Sequence, residues 1–267
     1  MTDKTTQTLS NTACLKAAQA LLARRKNNHR GEMLAADCRP TNLDDALAIQ
    51  MATVKENGNN IVGWKCLVPL NPEEMVVAPV LEDTVQQGET CLVQATEPGK
   101  TLIEPEIAFV LGQDLPAREE AYSEQEIDTA IASCHMALEL LQRRYAPNDD
   151  LTFFDKLADC LLNQGIFIGP EITKQQAYQA AEINIDITTI DADGQPDSKN
   201  YDGKHPNLSA HTPVYWLINF MRERGVSFKK GQAIITGSYA GAIEVPINTT
   251  EIEYKNLGKY QVTFSAL

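Results

Sequence analysis

The 267-residue chain has no apolar run approaching the roughly 18–20 residues that a membrane-crossing helix needs, and so is not expected to span a membrane by a helix. Positive charge is scarce: 23 Lys and Arg stand against 36 Asp and Glu, for a net charge of −13. Without a general positive field to draw in phosphates, nucleic acid is excluded as a partner. The six cysteines, Cys14, Cys38, Cys66, Cys91, Cys134 and Cys160, never form a CxxC pair, which reads as scattered reduced thiols and not a disulfide framework or zinc site. There is no GxGxxG or phosphate-loop motif, which removes the common nucleotide folds, and no GxSxG or HExxH. None of His29, His135, His205 and His211 has a histidine at i+4. The N-terminus lacks the apolar core of a secretory signal. Its basic cluster, Arg24, Arg25, Lys26 and Arg30, fits a transit peptide only loosely and reads better as the end of a solvated helix, so the protein is expected in the cytoplasm.

With 43% hydrophobic and 22% charged residues, the composition is that of a globular chain. Residues 11–29 read as an amphipathic helix with Leu15, Ala18, Leu21 and Leu22 on its apolar stripe. Asn42 caps a second helix carrying Leu43, Ala46, Leu47 and Ile49. Strands follow at 61–67, 75–81, 90–94 and 102–111, separated by Pro, Gly, Asn and Glu. Ser123-Glu124-Gln125-Glu126 is a capping box for a helix running toward Ser133. Further strands are expected at 136–141, 165–168 and 183–191, the last closed by the turn Asp191-Ala192-Asp193-Gly194. A helix at 213–224 and strands at 233–236, 242–245, 250–254 and 260–265 complete the chain. The fold class is α+β: a helical N-terminal portion, residues 1–60, on a β-rich body, residues 61–267, without the strand–helix alternation of a doubly wound sheet.

The segment Thr101-Leu102-Ile103-Glu104-Pro105-Glu106-Ile107-Ala108-Phe109-Val110-Leu111 is the most informative. On a strand Glu104 and Glu106 share a face about 7 Å apart at Cα, and such like charges need a cation between them or open solvent. Pro105 favours the open reading, an edge strand; the apolar run Ile107–Leu111 opposes it. Glu139 is likewise the lone acid in Met136-Ala137-Leu138-Glu139-Leu140-Leu141, where it either joins a cation site or pairs with Arg143 or Arg144. Three carboxylates suit a hard ion, Mg2+ or Mn2+, and not zinc.

Taken in order, these segments resemble the 2-keto-4-pentenoate hydratases and 4-oxalocrotonate decarboxylases of the fumarylacetoacetate hydrolase superfamily. The residues are Asp44-Asp45-Ala46-Leu47-Ala48-Ile49-Gln50, Gly63-Trp64-Lys65, Glu104-Pro105-Glu106-Ile107-Ala108-Phe109, Ala137-Leu138-Glu139, Ala158-Asp159, Gly237-Ser238 and Leu257-Gly258-Lys259-Tyr260-Gln261-Val262-Thr263-Phe264. The resemblance covers nearly the whole chain. It implies a mixed β-roll with helices outside, a homo-oligomer, Mg2+ or Mn2+ held by Glu104, Glu106 and Glu139, an active-site lysine at Lys65 and aspartate at Asp83, and Ser238 near the substrate carboxylate. Lys65 and Asp83 are then expected to titrate as a pair.

The implied activity is hydration of a 2-hydroxydienoate or 2-oxo-enoic acid through an enolate stabilised by the metal. The same electron sink serves a decarboxylase or C–C hydrolase of a 2-oxo acid, although no His–Glu pair is placed like that of the hydrolases. A non-catalytic subunit binding metal or 2-oxo acid beside an active decarboxylase or hydratase partner is a further alternative. Two departures stand out. The lysine is followed by Cys66-Leu67-Val68-Pro69-Leu70 where relatives carry a small polar run, and Ala158-Asp159-Cys160 replaces Ala-Asp-Asn. Both make the site more apolar.

Overall fold

The computed structural model describes residues 8–58, 60–71, 74–148, 150–190 and 194–267. Ser10 caps α1 (Asn11–Lys26) and Asn42 caps α2 (Leu43–Glu56), each side chain accepting a backbone N–H of the first turn. The buried face of α1 is Cys14, Ala17, Ala18, Leu21 and Leu22; Leu15 is more than a third exposed and leaves the expected stripe. Small residues on that face let α1 lie close against α2, and both pack on α4 (Phe153–Ala158) through Ile49, Leu157 and Ala158. The basic end of α1 is not solvated as a whole. Arg24 donates to Glu32 O at 2.6 Å and to Arg144 O at 3.5 Å, and Arg25 to Gln164 O at 2.9 Å and to Asn163 O, so both guanidiniums are spent on backbone carbonyls.

The body holds two sheets. The first contains β1 (Ile61–Cys66), β2 (Val77–Leu81), β3 (Val85–Gln87), β5 (Lys100–Leu111), β6 (Ile131–Leu141), β7 (Asn163–Ile172), β10 (Ala233–Ile235) and β11 (Ile243–Pro246). Its order is β2-β1-β10-β5-β6-β7-β3, with β11 also on β5. The outermost strands of that order, β2 and β3, are consecutive in the chain and joined only by residues 82–84. The sheet therefore curls into a roll, tied where Ile166 N donates to Thr84 O at 2.9 Å. The second sheet, in the order β4-β13-β12-β8-β9, comprises β4 (Thr90–Val93), β8 (Glu182–Ile190), β9 (Pro196–Lys204), β12 (Thr249–Tyr254) and β13 (Gly258–Ala266). It covers the outside of the roll together with α6 (Thr212–Arg222), burying Trp64, Ile107, Phe109, Leu138 and Ile234.

The helix α3 (Glu124–Ala130) has the full Ser123–Glu126 capping box but stops before Ser133, because Ile131 turns extended and opens β6. The expected turn at Asp191–Asp193 lies outside the described residues. All six cysteines are buried and none is in a disulfide.

Residues opposite one another in a ladder share a face. The pairings Lys65↔Ile235, Ile235↔Ala108, Glu106↔Ala137 and Glu139↔Ile166 therefore place these side chains on one surface, the inside of the roll. Val80, Ala108, Ala137, Ile166, Ala233 and Ile235 pack together there. The three alanines among them keep the interior open beside Glu106 and Glu139, whose side chains lie on the same surface.

Candidate metal centre

Glu104 and Glu106 lie on β5, and Glu139 faces Glu104 directly across the β5–β6 ladder. The three carboxylates each offer an oxygen within 4.8 Å of the others. Contrary to the edge-strand expectation from Pro105, β5 is an interior strand. The proline is tolerated because β11 pairs with β5 only over residues 100–103 and β10 only over 108–110. A strand residue's N–H and C=O point the same way, and the Pro105 carbonyl meets Tyr239 N at 3.0 Å in that gap. The missing N–H falls where no strand needs it.

Loop 236–242 occupies the gap and reaches the site. Gly237 N donates to Glu106 Oε2 at 2.7 Å, with a φ of +123° that favours glycine. From the outer sheet the Tyr254 hydroxyl donates to Ala137 O at 2.7 Å, with Glu106 O at 3.2 Å, pinning the backbone of both site strands.

Glu139 is fully buried. It pairs neither with Arg143 nor with Arg144: the latter donates to Asp159 at 2.6 Å, and the former lies 3.9 Å from Glu97. Its partners are Lys65 Nζ at 2.7 Å and Asn163 Nδ2 at 2.9 Å, both on Oε1. Glu139 Oε2 is buried and accepts no hydrogen bond among the described residues. Lys65 Nζ also reaches Leu161 O at 3.3 Å. That carbonyl is aimed by an unusual turn in which Cys160, Leu161 and Leu162 have φ of 55°, 51° and 68°. Successive left-handed residues that are not glycine cost about 1–2 kcal/mol each, a cost borne beside the site.

The electrostatics follow from crowding. Burial first, then the Glu139 charge, raises the Glu104 carboxyl to about 7. Burial, Glu139 and Glu104 push Glu106 well above the usual carboxylate range. Burial alone would pull the Lys65 ammonium down, but Glu139, Glu104 and Glu106 outweigh it and raise it. Three acids against one cation in a low-dielectric interior leave negative charge uncompensated. An oxygen-only donor set of this kind, with a buried oxygen left over on Glu139, fits a hard divalent cation.

Asp83 does not meet Lys65. It is exposed at φ +63° in the turn between β2 and β3, so the carboxylate coupled to the lysine is Glu139. Ser238 follows Gly237, but its hydroxyl is turned to its own loop, donating to Gly241 O at 3.2 Å. His135 is tied to Ser133 Oγ at 2.9 Å and Gly169 O at 3.1 Å. Asn163, Gly237, the Leu161 carbonyl and Tyr254 complete the site; of these only Gly237 lies in a segment that carries the resemblance, Gly237-Ser238.

The chain superposes over nearly all its length on a 4-oxalocrotonate decarboxylase from Pseudomonas putida G7 complexed with magnesium and adipate. The TM-score is 0.74 at 19% identity, covering 97% of this chain and 100% of that one. The same enzyme complexed with calcium and acetate gives 0.72 at 18%, over the same shares. The chain has the fumarylacetoacetate hydrolase-type fold. No family model matches the sequence, and no curated protein does. The α+β roll expected from the sequence is therefore the observed one. No helix among the described residues is long and apolar enough to cross a membrane.

Proposed function

We propose that the protein is a divalent-metal-dependent lyase that adds water to a 2-oxo-enoic acid or its 2-hydroxydienoate form. The convergence of Glu104, Glu106 and Glu139 inside the roll, with Lys65 on the third, carries this reading. The three glutamates would hold Mg2+ or Mn2+, which when bound supplies electrophilic help at the 2-oxygen of a chelating 2-oxo acid. Lys65 stands over the cluster as the proton carrier, kept in place by Glu139 and the Leu161 carbonyl. Gly237 N–H holds the Glu106 carboxylate in one orientation. The apolar wall of Ala108, Ala137 and Ile235 beneath excludes water from below. The decarboxylase with which the chain shares its fold, complexed with magnesium, supports the choice of metal class.

A second reading, decarboxylation of a 2-oxo acid, draws on a specific observation. Water addition calls for a positioned acid and base, whereas loss of CO2 calls for an electron sink and one proton donor. Asp83 stands in an exposed turn, so Lys65 has no second proton carrier in that residue.

Calorimetric titration with oxalate, in the presence of Mg2+ or Mn2+, tests the reading common to both. Metal-dependent binding by wild type that is lost in Glu106→Ala is expected. A folded wild type that binds no oxalate with either metal would overturn it. Product analysis with 2-hydroxypenta-2,4-dienoate and 4-oxalocrotonate then separates water addition from CO2 release.

A further inference from the structure

Leu67 lies two residues beyond Lys65, just past the end of β1, with its N–H donating to Val76 O at 3.1 Å. Its Cδ1 comes within 3.0 Å of where a Gly237 Cβ would stand, so it sits against the residue that holds Glu106. The position of Leu67 is fixed from outside. Val68 N donates to Asn207 Oδ1 at 2.9 Å and Val68 O accepts from Asn207 Nδ2 at 3.1 Å, so one amide clamps segment 66–71 to segment 205–209. The clamp brings further apolar groups to the same rim. Pro206 Cδ lies 3.4 Å from the Gly237 Cβ position, while Leu70 and Leu208 are 74% and 58% exposed.

Among the described residues, the segments that meet at this rim supply no free cation. Segments 66–71, 205–209 and 236–241 carry no Lys or Arg. His205 is fully buried, and burial pushes its imidazole down to about 4, so it is neutral at pH 7. Lys65 is committed to Glu139. The nearby guanidiniums of Arg25 and Arg144 are spent on Gln164 O, Asn163 O and Asp159. Among the described residues, three carboxylates balanced by one ammonium and a divalent ion leave no net positive charge to attract a further anion.

We propose that the end of the substrate remote from its chelating head is apolar and uncharged: a 2-oxo monocarboxylate with a short hydrocarbon tail lying on Leu67, in preference to a 2-oxo dicarboxylate. This rests on the reading of the glutamate cluster as a 2-oxo-acid site. A second carboxylate would be desolvated against Leu67 and Pro206 with no partner.

The test is calorimetric titration of the full chain in Mg2+ with 2-oxohexanoate and 2-oxoadipate, which share the head and chain length and differ in one terminal group, with oxalate as the head-only probe. 2-Oxohexanoate is expected to bind at least about ten-fold more tightly than 2-oxoadipate. Leu67→Arg should narrow that ratio, and Leu70→Arg, at an exposed position that cannot disturb the core, should narrow it less. Oxalate binding with equal or tighter binding of 2-oxoadipate would overturn the tail preference and leave the head site standing. Absence of metal-dependent binding by all three ligands would overturn both.

Discussion

Lys65 and Glu139 meet at 2.7 Å inside the roll, although β10 and β5 lie between their strands. Both side chains belong to the inner surface of the roll, which they share with Ile235, Ala108 and Ala137. The lysine answers a carboxylate that has no escape to solvent. Removing it leaves Glu139 buried beside two other acids, so Lys65→Met should cost about 3–5 kcal/mol in metal-free protein. Denaturant unfolding checks this, and the loss should shrink when Mg2+ is added. An equal loss with and without the ion would mean that the lysine matters through packing alone.

Divalent metal itself should stabilise the chain. Binding to the native state alone contributes about 2.7 kcal/mol at a hundred-fold excess over Kd. The melting temperature should therefore rise with Mg2+ or Mn2+ and return on chelation. Glu104→Gln, Glu106→Gln and Glu139→Gln should each blunt the rise, and Glu104→Gln, which leaves the Lys65–Glu139 pair intact, should also raise the metal-free melting temperature by relieving the crowding of three acids. A melting curve indifferent to both metals would argue against the cluster as a metal site.

Gly237 joins the loop geometry to the site. At φ +123°, with Leu67 Cδ1 3.0 Å and His205 Nε2 3.5 Å from the Cβ position, alanine is both strained and crowded. Gly237→Ala should lose about 1–3 kcal/mol of stability and weaken oxalate binding by displacing the donor to Glu106 Oε2. Unchanged oxalate affinity would show that Glu106 is positioned without that N–H.

The elements that could be read from sequence are those whose signals are local. Asn42 as a cap and Ser123 with Glu126 as a capping box each announce a helix within four residues. Thr152 with Asp155 and Thr173 with Gln176 form boxes of the same kind, but α4 and α5 (Lys174–Gln179) are six residues long and too short for a periodic apolar stripe. The β9 strand escaped for the opposite reason. As an edge strand exposed along nearly its whole length it has no alternation, and it is held by polar cross-strand pairs such as Asn184–Asp202 and Thr188–Ser198. Glu104 and Glu106 share a face by strand parity alone. That Glu139 falls opposite Glu104 depends on register, and that Lys65 rather than Arg144 reaches it depends on how the roll closes. Asp83, Ser238, Asn163 and Asn207 have no local signature of where their side chains end up.

The α3 capping box gives a pH dependence of definite sign. Glu126 accepts from Ser123 N at 2.8 Å and pairs with Arg118 at 2.8 Å. The Ser123 backbone hydrogen bond first, then Arg118, holds its carboxyl down to about 2, against an ordinary value of 4.5. A carboxyl depressed in the folded state binds fewer protons than in the unfolded chain, so its stabilising effect is complete above about pH 4.5 and lost as pH falls toward 2. Glu126→Gln keeps a hydrogen-bond acceptor but not the charge. Its melting temperature should fall below that of wild type at pH 7, and the gap should close steadily as pH falls below 4.5. A gap that is the same at pH 7 and at pH 3 would show that Glu126 caps α3 through shape and not through its charge.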